Sequence, residues 1–316
     1  MTSPKRALDT GDTGRYYTHP VSGEILISVT NVIGECLSKP ALVPWAAKAS
    51  NDKAWDVLPR MVAALRRPGD CRPVRLSDRA GWQPCGKCRP CVEREIKGHH
   101  AVIKDTAAKL GTLVHEAAEQ HVLGAARVEN PDVEPFIGQY LRFLDDFGLD
   151  IAQHFEATEL TVANPREGYA GTLDALIWLP FDVMLPGETT VKRLPGDERK
   201  LWLIDYKSSL TRPASSIYDS FPLQLAALRY ASEMWLPDDT VRPMVKGIAG
   251  AAVLNLRTDD YALIPVPAGA PERSAFFALV KGAKWRHSKP TNGCAPITPD
   301  GKPKTSKRRT GARKAA

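Results

Sequence analysis

The spacing of apolar residues along the chain predicts a short strand pair, then helices, and then strands and helices in turn. Apolar positions three and four residues apart predict helices at Pro40–Arg67, Glu93–Leu123, Pro135–Phe147, Phe221–Trp235 and Glu272–Trp285. Alternating or continuous apolar runs predict strands within Tyr16–Ile33 and at Glu159–Val162, Gly171–Leu179, Leu201–Tyr206, Lys246–Leu256 and Tyr261–Val266. This order predicts an α/β chain of the α+β class, with a central mixed, mostly antiparallel sheet flanked by helices.

Changes in composition along the chain predict five segments. In chain order they are a disordered N-terminus (1–14), a strand and helix region (15–67), a Cys-rich metal-binding insertion (68–98), the α/β core (99–290) and a basic disordered tail (291–316). Within the core, Pro180–Lys200 holds Leu-Pro-Gly twice and is predicted to be a long excursion between two strands.

The excess positive charge is concentrated at the C-terminal end. The chain carries 43 basic and 36 acidic side chains, a net charge of +7. Residues 302–316 hold seven basic side chains and no acidic one, so the rest of the chain balances at 36 against 36. Such a tail either holds nucleic acid non-specifically or is only a solubilising extension.

The apolar content of the chain is that of an ordinary globular protein, at 43% apolar and 25% charged residues. No apolar run is long enough to span a bilayer, and Met1–Asp9 lacks the apolar segment of a secretory signal. We therefore expect a cytoplasmic protein with no membrane partner.

Two charged residues interrupt the apolar run Leu201–Lys207. On a strand, Asp205 and Lys207 project from the same face, and burying them is costly unless they are paired or bind a ligand. Asp174, at the end of Gly168–Asp174, could reach the same place. Two carboxylates beside a lysine suit a hard divalent cation and the cutting of a phosphodiester. A structural ion pair at a sheet edge is the alternative interpretation.

Four sequence pieces in a fixed order resemble a known family. They are Gly111-Thr-Leu-Val-His115, Gly171-Thr-Leu-Asp174, Asp205-Tyr-Lys207 and Leu223-Gln224-Leu-Ala-Ala227. The chain resembles the PD-(D/E)xK nucleases, in the RecB-like exonuclease branch that includes CRISPR-associated and phage-encoded members. Each piece alone is common, but the ordered set, which covers Leu110–Trp235, is specific. The resemblance implies a restriction-endonuclease-like core.

The resemblance also implies a metal site. Asp174 and Asp205 would bind Mg²⁺ or Mn²⁺, with the backbone carbonyl of Tyr206 as a further ligand. His115 would complete the set of ligands, as the metal-binding histidine of this branch does.

The remaining matched residues would serve the reaction. Lys207 would orient or activate the attacking water and stabilise charge on the phosphate, and Gln224 would position DNA or Lys207. The function so implied is a metal-dependent DNA exonuclease that acts at DNA ends in phage recombination, repair or replication. Its partners would be DNA and a recombination or replication protein, in the cytoplasm of the host cell.

The chain departs from the family pattern at several places. The family helix often reads Gln-Leu-x-x-Tyr, but Leu228 stands at the Tyr position here, and Tyr230 lies about 200° further round the helix. No Pro-Asp pair precedes the first acid. Related nucleases often have an acid near Glu159, which is either a site residue or a solvated strand end. The roles of Glu159 and Tyr230 stay open.

Four cysteines are clustered in the insertion. In the pattern C-x13-C-x2-C-x2-C, they are Cys71, Cys85, Cys88 and Cys91. In a reducing cytoplasm they predict a metal site, with structural Zn²⁺ favoured and a [4Fe–4S] cluster as the alternative. RecB-like nucleases that carry a cluster place one cysteine before the core and three after it, whereas all four precede the core here. His99 and His100 are either alternative ligands or a surface pair.

Other functions compete with the exonuclease. They are a structure-specific or sequence-specific endonuclease, a catalytically inactive protein that binds DNA ends, and an interaction protein built around the zinc module. The complete set of Asp174, Asp205 and Lys207 favours catalysis over binding alone. The lack of a second recognisable DNA-reading module favours the exonuclease over a sequence-specific endonuclease.

Overall fold

A mixed sheet flanked by helices forms the centre of the molecule. The computed structural model describes residues 7–9, 15–66, 71, 74–77, 81–83, 85–126, 129–184, 190–292, 294, 295, 297 and 299. The described strands are β1 (Ala7–Asp9), β2 (Arg15–Thr18), β3 (Ile25–Ser28), β4 (Val74–Ser77), β5 (Gly81–Gln83), β6 (Phe155–Asn164), β7 (Tyr169–Leu179), β8 (Lys200–Ser208), β9 (Glu233–Trp235), β10 (Val241–Pro243), β11 (Gly250–Leu256) and β12 (Tyr261–Val266). The described helices are α1 (Val29–Cys36), α2 (Leu42–Asp56), α3 (Leu58–Leu65), α4 (Arg89–Val122), α5 (Glu134–Asp146), α6 (Ile151–His154), α7 (Ser220–Arg229) and α8 (Ala270–His287).

The large sheet contains all of these strands except β4 and β5, which form a separate hairpin. One path through it runs β1–β2–β3–β7–β6–β9–β10, and β8 also pairs with β7 and leads through β11 to β12. Among the described strands, β3 with β7 and β8 with β11 are parallel, and the other neighbours are antiparallel. The predicted α+β class with a mixed central sheet is confirmed.

The sheet splits beside the middle of β7. On one edge of β7, β3 pairs with Tyr169 and Ala170, and β8 pairs with the stretch from Ala175 to Leu179. Between them, the described strands offer no ladder partner to residues 171–174 on this edge. On the other edge, β6 follows β7 for almost its whole length and keeps the strand in place. The split therefore opens at the predicted Gly-Thr-Leu-Asp piece.

Helices cover both faces of the sheet. On one face, α1, α7 and α8 contribute to a core that includes Leu225 and Phe276. On the other face, α4 and α5 contribute to a core that includes Val114 and Tyr140. Strands that are buried on both faces have continuous apolar runs, and this explains the sequence of β7 and β8.

The N-terminal helices pack on the first part of α4. Val57, Ala64 and Val92 form a small buried cluster between α2, α3 and α4. Glu95 of α4 forms ion pairs with Lys53 of α2 at 3.1 Å and with Arg60 of α3 at 2.8 Å. The first part of α4 therefore supports a small helical layer, while its last part belongs to the main core.

Two described helices, α1 and the four-residue α6, are missing from the sequence-based prediction. The strand pair within Tyr16–Ile33 ends at Ser28, whose Oγ accepts a hydrogen bond from the N–H of Asn31 at 3.1 Å and caps α1. β-branched residues such as Val29 favour a strand by propensity. Here they are buried under α7 and α8, and this packing decides the conformation.

The helix predicted over Phe221–Trp235 is wrong in its last part. It ends at Arg229, and Glu233–Trp235 forms the short strand β9 against β6. Trp235 is 6% exposed and packs with Tyr17 at the end of the sheet. Burial of this indole at the sheet outweighs the helical spacing of the sequence.

Two other predicted helices have different limits. The helix predicted over Pro40–Arg67 is divided at Val57 into α2 and α3, where Pro59 occupies one of the first two positions of α3 and brings no backbone N–H. The helix predicted from Glu93 begins earlier, at Arg89, and therefore includes Cys91.

Several predictions concern parts of the chain that the structure describes only in part. The predicted disordered segments 1–14 and 291–316 lie mostly outside the described residues. β7 and β8 are antiparallel, with an isolated bridge between Phe181 and Arg193 in the excursion between them.

Within the described residues, no helix has both the length and the apolar character needed to cross a bilayer.

Candidate functional site

The two predicted acids lie at the split, on opposite faces of the sheet. Leu173 and Leu203 both belong to the core under α7 and α8. Because side chains alternate along a strand, Asp174 faces α4 and Asp205 faces α7. The N–H of Tyr206 donates to Asp174 Oδ2 at 2.5 Å, so a side chain takes the place of a ladder hydrogen bond where β7 and β8 diverge.

The glycine of the Gly-Thr-Leu-Asp piece is required by packing. A Cβ on Gly171 would lie 2.7 Å from Leu228 Cδ2 and 3.1 Å from Val29 Cγ2. A larger residue at this position would therefore displace one of these side chains. Leu228, which stands where the nucleases that the sequence resembles often have Tyr, lines the cleft. Tyr230 lies at the C-terminal end of α7, where its ring is 4.8 Å from the guanidinium carbon of Arg273. Leu228 therefore contributes an apolar wall to the cleft.

His115 and two carboxylates form a compact group on the α4 side. His115 Nδ1 is 3.4 Å from Asp174 Oδ1 and 3.7 Å from Glu159 Oε1, and its Nε2 is 3.0 Å from the carbonyl oxygen of Tyr206. One potential ligand atom of each of the three side chains lies within 4.8 Å of the other two. Carboxylate oxygens with an imidazole nitrogen can hold a divalent cation such as Mn²⁺ or Mg²⁺.

Glu159 is the member of this group whose role the sequence leaves open. It lies in the middle of β6, not at a strand start, and has a φ of +47°, a region that side chains rarely adopt. Its Oε1 is buried and has no hydrogen-bond partner, and burial raises the pKa of the carboxyl group. Strained residues often occur at functional sites, and a buried oxygen without a hydrogen bond, beside two other ligand atoms, fits a cation.

Asp205 has its own partners on the α7 side. Lys207 Nζ is 2.5 Å from Asp205 Oδ2, and Gln224 Nε2 donates to Asp205 Oδ1 at 2.8 Å. The Lys207 ammonium also lies 5.4 Å from the ring centroid of Phe221. Asp205 and Lys207 therefore share a face as predicted, and Gln224 reaches Lys207 through Asp205.

The charges at the site change one another's pKa. Burial alone would lower the pKa of His115, but Asp174 and Glu159 outweigh it and raise this pKa to about 10. Burial raises the pKa of Asp205, and Asp174 adds to the rise while Lys207 opposes it. Burial would also raise the pKa of Asp174, but His115 and Lys207 hold it below its usual value. A cation would relieve the repulsion between the carboxylates.

All of these side chains line one cleft of about 530 Å³, a volume in the range of small-molecule sites. Glu119, which no sequence motif marks, also lines this cleft and is 9% exposed. Its charge contributes to the raised pKa of Glu159. The signal in the sequence is the spacing from His115 to Glu119, because residues four apart share a helix face.

The end of β11 fixes the loop that follows Lys207. The buried Arg257 guanidinium donates to the carbonyl oxygens of Lys207 at 3.0 Å and Arg212 at 2.6 Å. Asn255 donates to the carbonyl oxygen of Ala214 at 2.6 Å. These contacts hold the backbone on the C-terminal side of Lys207. No motif in the sequence marked them.

The four cysteines of the insertion converge at the start of α4. A sulfur of each lies within 4.8 Å of the other three, and Cys71 Sγ is 3.3 Å and Cys85 Sγ 3.8 Å from Cys91 Sγ. Backbone N–H groups of Lys87 and Cys88 lower the pKa of the Cys85 thiol to about 6, which favours the thiolate that binds metal. This cluster can bind a metal ion such as Zn²⁺. In the described structure, the alternative ligands His99 and His100 are not part of the group.

Comparisons with known proteins add little to this picture. No protein-family profile matches the chain, and no curated protein matches it significantly. Among solved structures, the chain is similar to one described as "Crystal structure of SSO0001", with 13% identity and a TM-score of 0.26, over 55% of this chain and 84% of that chain. A likeness at this level carries no argument about function.

Proposed function

We propose that this protein is a divalent-metal-dependent deoxyribonuclease that uses Mg²⁺ or Mn²⁺ and acts at DNA ends. The observation that carries the proposal is the convergence of the His115–Glu159–Asp174 group and the Asp205–Lys207 pair in one cleft. End dependence, and a role in phage recombination, repair or replication, follow only from the resemblance to RecB-like exonucleases.

The metal would be held on the α4 side of the cleft. His115, Glu159 and Asp174 would be its protein ligands, since their ligand atoms are close together and one buried Glu159 oxygen has no hydrogen bond. A cation bound there supplies Lewis acidity toward a phosphate oxygen and lowers the pKa of a bound water. In this assignment, Glu159 takes the place that the resemblance gives to Asp205.

Lys207 would act on the phosphate and on the attacking water. Asp205 and Asp174 raise its pKa against the opposing effect of burial, so it stays a cation that can donate to a phosphate oxygen. Asp205 fixes the ammonium, and Gln224 fixes Asp205. In hydrolysis the water oxygen bonds to phosphorus, the bond to the leaving sugar oxygen breaks, and a proton from the water passes to that oxygen.

The first test compares end-labelled linear DNA with a matched closed circle. Each is incubated with the protein in Mg²⁺, Mn²⁺ or EDTA, beside the variant Lys207→Ala. We expect loss of the linear DNA alone, only with metal, and a decrease of roughly a hundredfold or more in the variant. Lys281→Ala, an exposed lysine on α8, is the matched control and should keep full activity.

The other functions would give different results in the same assay. Cutting of the closed circle would identify an endonuclease. Retained DNA binding without cutting in any metal would identify an inactive end-binding protein and overturn the proposal. Equal cutting by Lys207→Ala and the unsubstituted protein would show that a different site is responsible.

Zinc is the metal that we propose for the cysteine cluster. Four sulfurs arranged tetrahedrally around one ion at about 2.3 Å are roughly 3.8 Å apart, close to the distances from Cys91 to Cys71 and Cys85. A [4Fe–4S] cluster binds each thiolate to a different iron atom, which requires a wider spacing of the sulfurs. The cluster would fix the N-terminal end of α4, where Cys88 and Cys91 lie.

A further inference from the structure

An exposed stripe on α4 runs in line with His115 toward the start of the helix. Residues three and four apart share a helix face, so the His115 face continues through a short series of exposed or half-buried positions. In order from the site, they are Thr112, Gly111, Ala108, Lys104, Ala101, Lys97 and Arg94. Thr112 lies 18 positions after Arg94, which corresponds to roughly 27 Å along the helix axis. We call this series the α4 stripe.

The middle of α4 is exposed all round, which is unusual for a helix inside a domain. Residues 101–109 are all exposed, whereas surface helices normally bury one face. The helix is held at both ends instead. Glu95 is paired with Lys53 and Arg60 at one end, and Val114 is buried in the main core at the other. The α4 stripe is therefore an accessible surface that leads to the cleft.

The charges on the α4 stripe are positive. Arg94, Lys97 and Lys104 lie along it, and the acids on neighbouring turns have partners of their own or lie beside it. Glu93 pairs with Arg89 at 2.7 Å, Glu95 pairs with α2 and α3, and Asp105 lies roughly 80° away from the His115 direction. The remaining positions are small or polar, which leaves room for a polymer backbone to approach the helix.

The α4 stripe joins the proposed catalytic cleft without a break. Ala108, Gly111 and Thr112 belong to both, because they line the cleft beside His115. We propose that one phosphate backbone of a DNA substrate lies along the α4 stripe, from the cysteine module to the cleft. The proposal rests on the proposed function. A polyanionic strand complements three cations that lie in line with the proposed site for cutting phosphodiesters. At 3.4 Å for each nucleotide of one strand, the stripe spans about eight base pairs.

The test measures DNA binding with the double variant Lys97→Gln and Lys104→Gln. All proteins also carry Lys207→Ala so that the DNA is not cut, and the probe is a linear duplex longer than the stripe. We expect the dissociation constant of the double variant to be higher by about tenfold or more. The slope of log affinity against log salt should decrease in magnitude by about 2, since each lost phosphate contact removes about 0.9. Lys109→Gln is the matched control, because Lys109 is exposed on the same helix but about 120° round from His115.

The results separate this inference from the proposed function. Equal affinities and salt slopes in the double variant, the control and the parent would overturn the α4 stripe as a DNA track, even if the protein with Lys207 intact cuts DNA. A smaller slope in the double variant alone would support the track, even if no cutting is found. Thermal unfolding of all variants checks that the substitutions, which are on exposed positions, leave the fold unchanged.

Discussion

Single residues at the cleft differ in chemistry because their neighbours differ. Asp174 receives the N–H of Tyr206 and lies against His115, while Asp205 is held by Lys207 and Gln224. Asp174 can therefore share a cation with its neighbours, whereas Asp205 already pairs with the Lys207 ammonium. Glu159 favours Asp174 over Asp205 as the cation ligand. It lies beside Asp174 and has a buried oxygen that has no hydrogen-bond partner.

The substitution Glu159→Gln tests the metal assignment directly. It keeps the size of the side chain and removes its charge, so we expect Mn²⁺ affinity to fall by roughly tenfold or more. Calorimetric titration of Mn²⁺ without DNA measures this effect independently of activity. Glu156→Gln, on the same strand but exposed near its start, is the matched control. Unchanged affinity in Glu159→Gln would exclude Glu159 as a ligand.

The residues of the cleft could be predicted only where local sequence determines them. Asp205 and Lys207 interrupt an apolar strand, and the period of two places them together, as the structure confirms. The separation of Asp174 and Asp205 onto opposite faces could not be predicted, because it depends on where β7 and β8 diverge. The contacts of Arg257 with the loop after Lys207 join distant parts of the chain and leave no local pattern.

At the scale of elements, α4 is the piece that connects the parts of the molecule. Its first turns carry Cys91 and the contacts with α2 and α3, and its last turns carry His115 and the core. The spacing of apolar residues predicted the helix, but not its earlier start at Arg89 or the exposure of its middle. Both depend on packing partners that are far away in the sequence.

The contact of α2 and α3 with α4 should weaken in acid. Hydrogen bonds and charges from Arg60 and Lys53 lower the pKa of Glu95 below its ordinary value, which is about 4.3 in unfolded chains. A carboxyl group with a lowered folded-state pKa stabilises the fold above the unfolded value, and this contribution is lost as the pH falls through the folded-state pKa. Relative to the intrinsic exchange rate at each pH, we expect the amides of α2 and α3 to lose more protection from hydrogen exchange there than the amides of α5.

A substitution at Glu95 separates this effect from general acid unfolding. Glu95→Gln should lose at most about 1 kcal/mol at neutral pH, because the ion pairs are partly exposed and screened. It should also remove this additional loss of protection in acid. Asp52→Asn breaks an exposed pair with Lys48 within α2 and should keep it. The same acid response in Glu95→Gln as in the unsubstituted protein would contradict the assignment.

At the scale of the whole molecule, two candidate metal sites occupy different parts of one helix. His115 lies 24 positions after Cys91, which corresponds to roughly 36 Å along α4. The cysteine cluster therefore does not reach the cleft. In the proposed nuclease, it would affect cutting only through the position of α4 and of the DNA that we propose lies along it. Removing the whole module by deletion up to Cys91 would shorten α4 itself, so point substitutions are the cleaner experiment.

The double variant Cys85→Ser and Cys88→Ser should lose the structural metal while the cleft keeps its chemistry. We expect one zinc per chain by elemental analysis in the unsubstituted protein, none in the variant, and full zinc in Cys294→Ser, an exposed cysteine outside the cluster. Loss of the ion should accelerate hydrogen exchange in the first turns of α4, since metal binding is coupled to folding. Cutting of DNA too short to reach along α4 should persist, while cutting of longer DNA should decrease. Iron with visible absorption in the purified protein would instead identify an iron–sulfur cluster at the four cysteines. Loss of cutting on short DNA in the double variant would show that the cleft depends on the cysteine cluster.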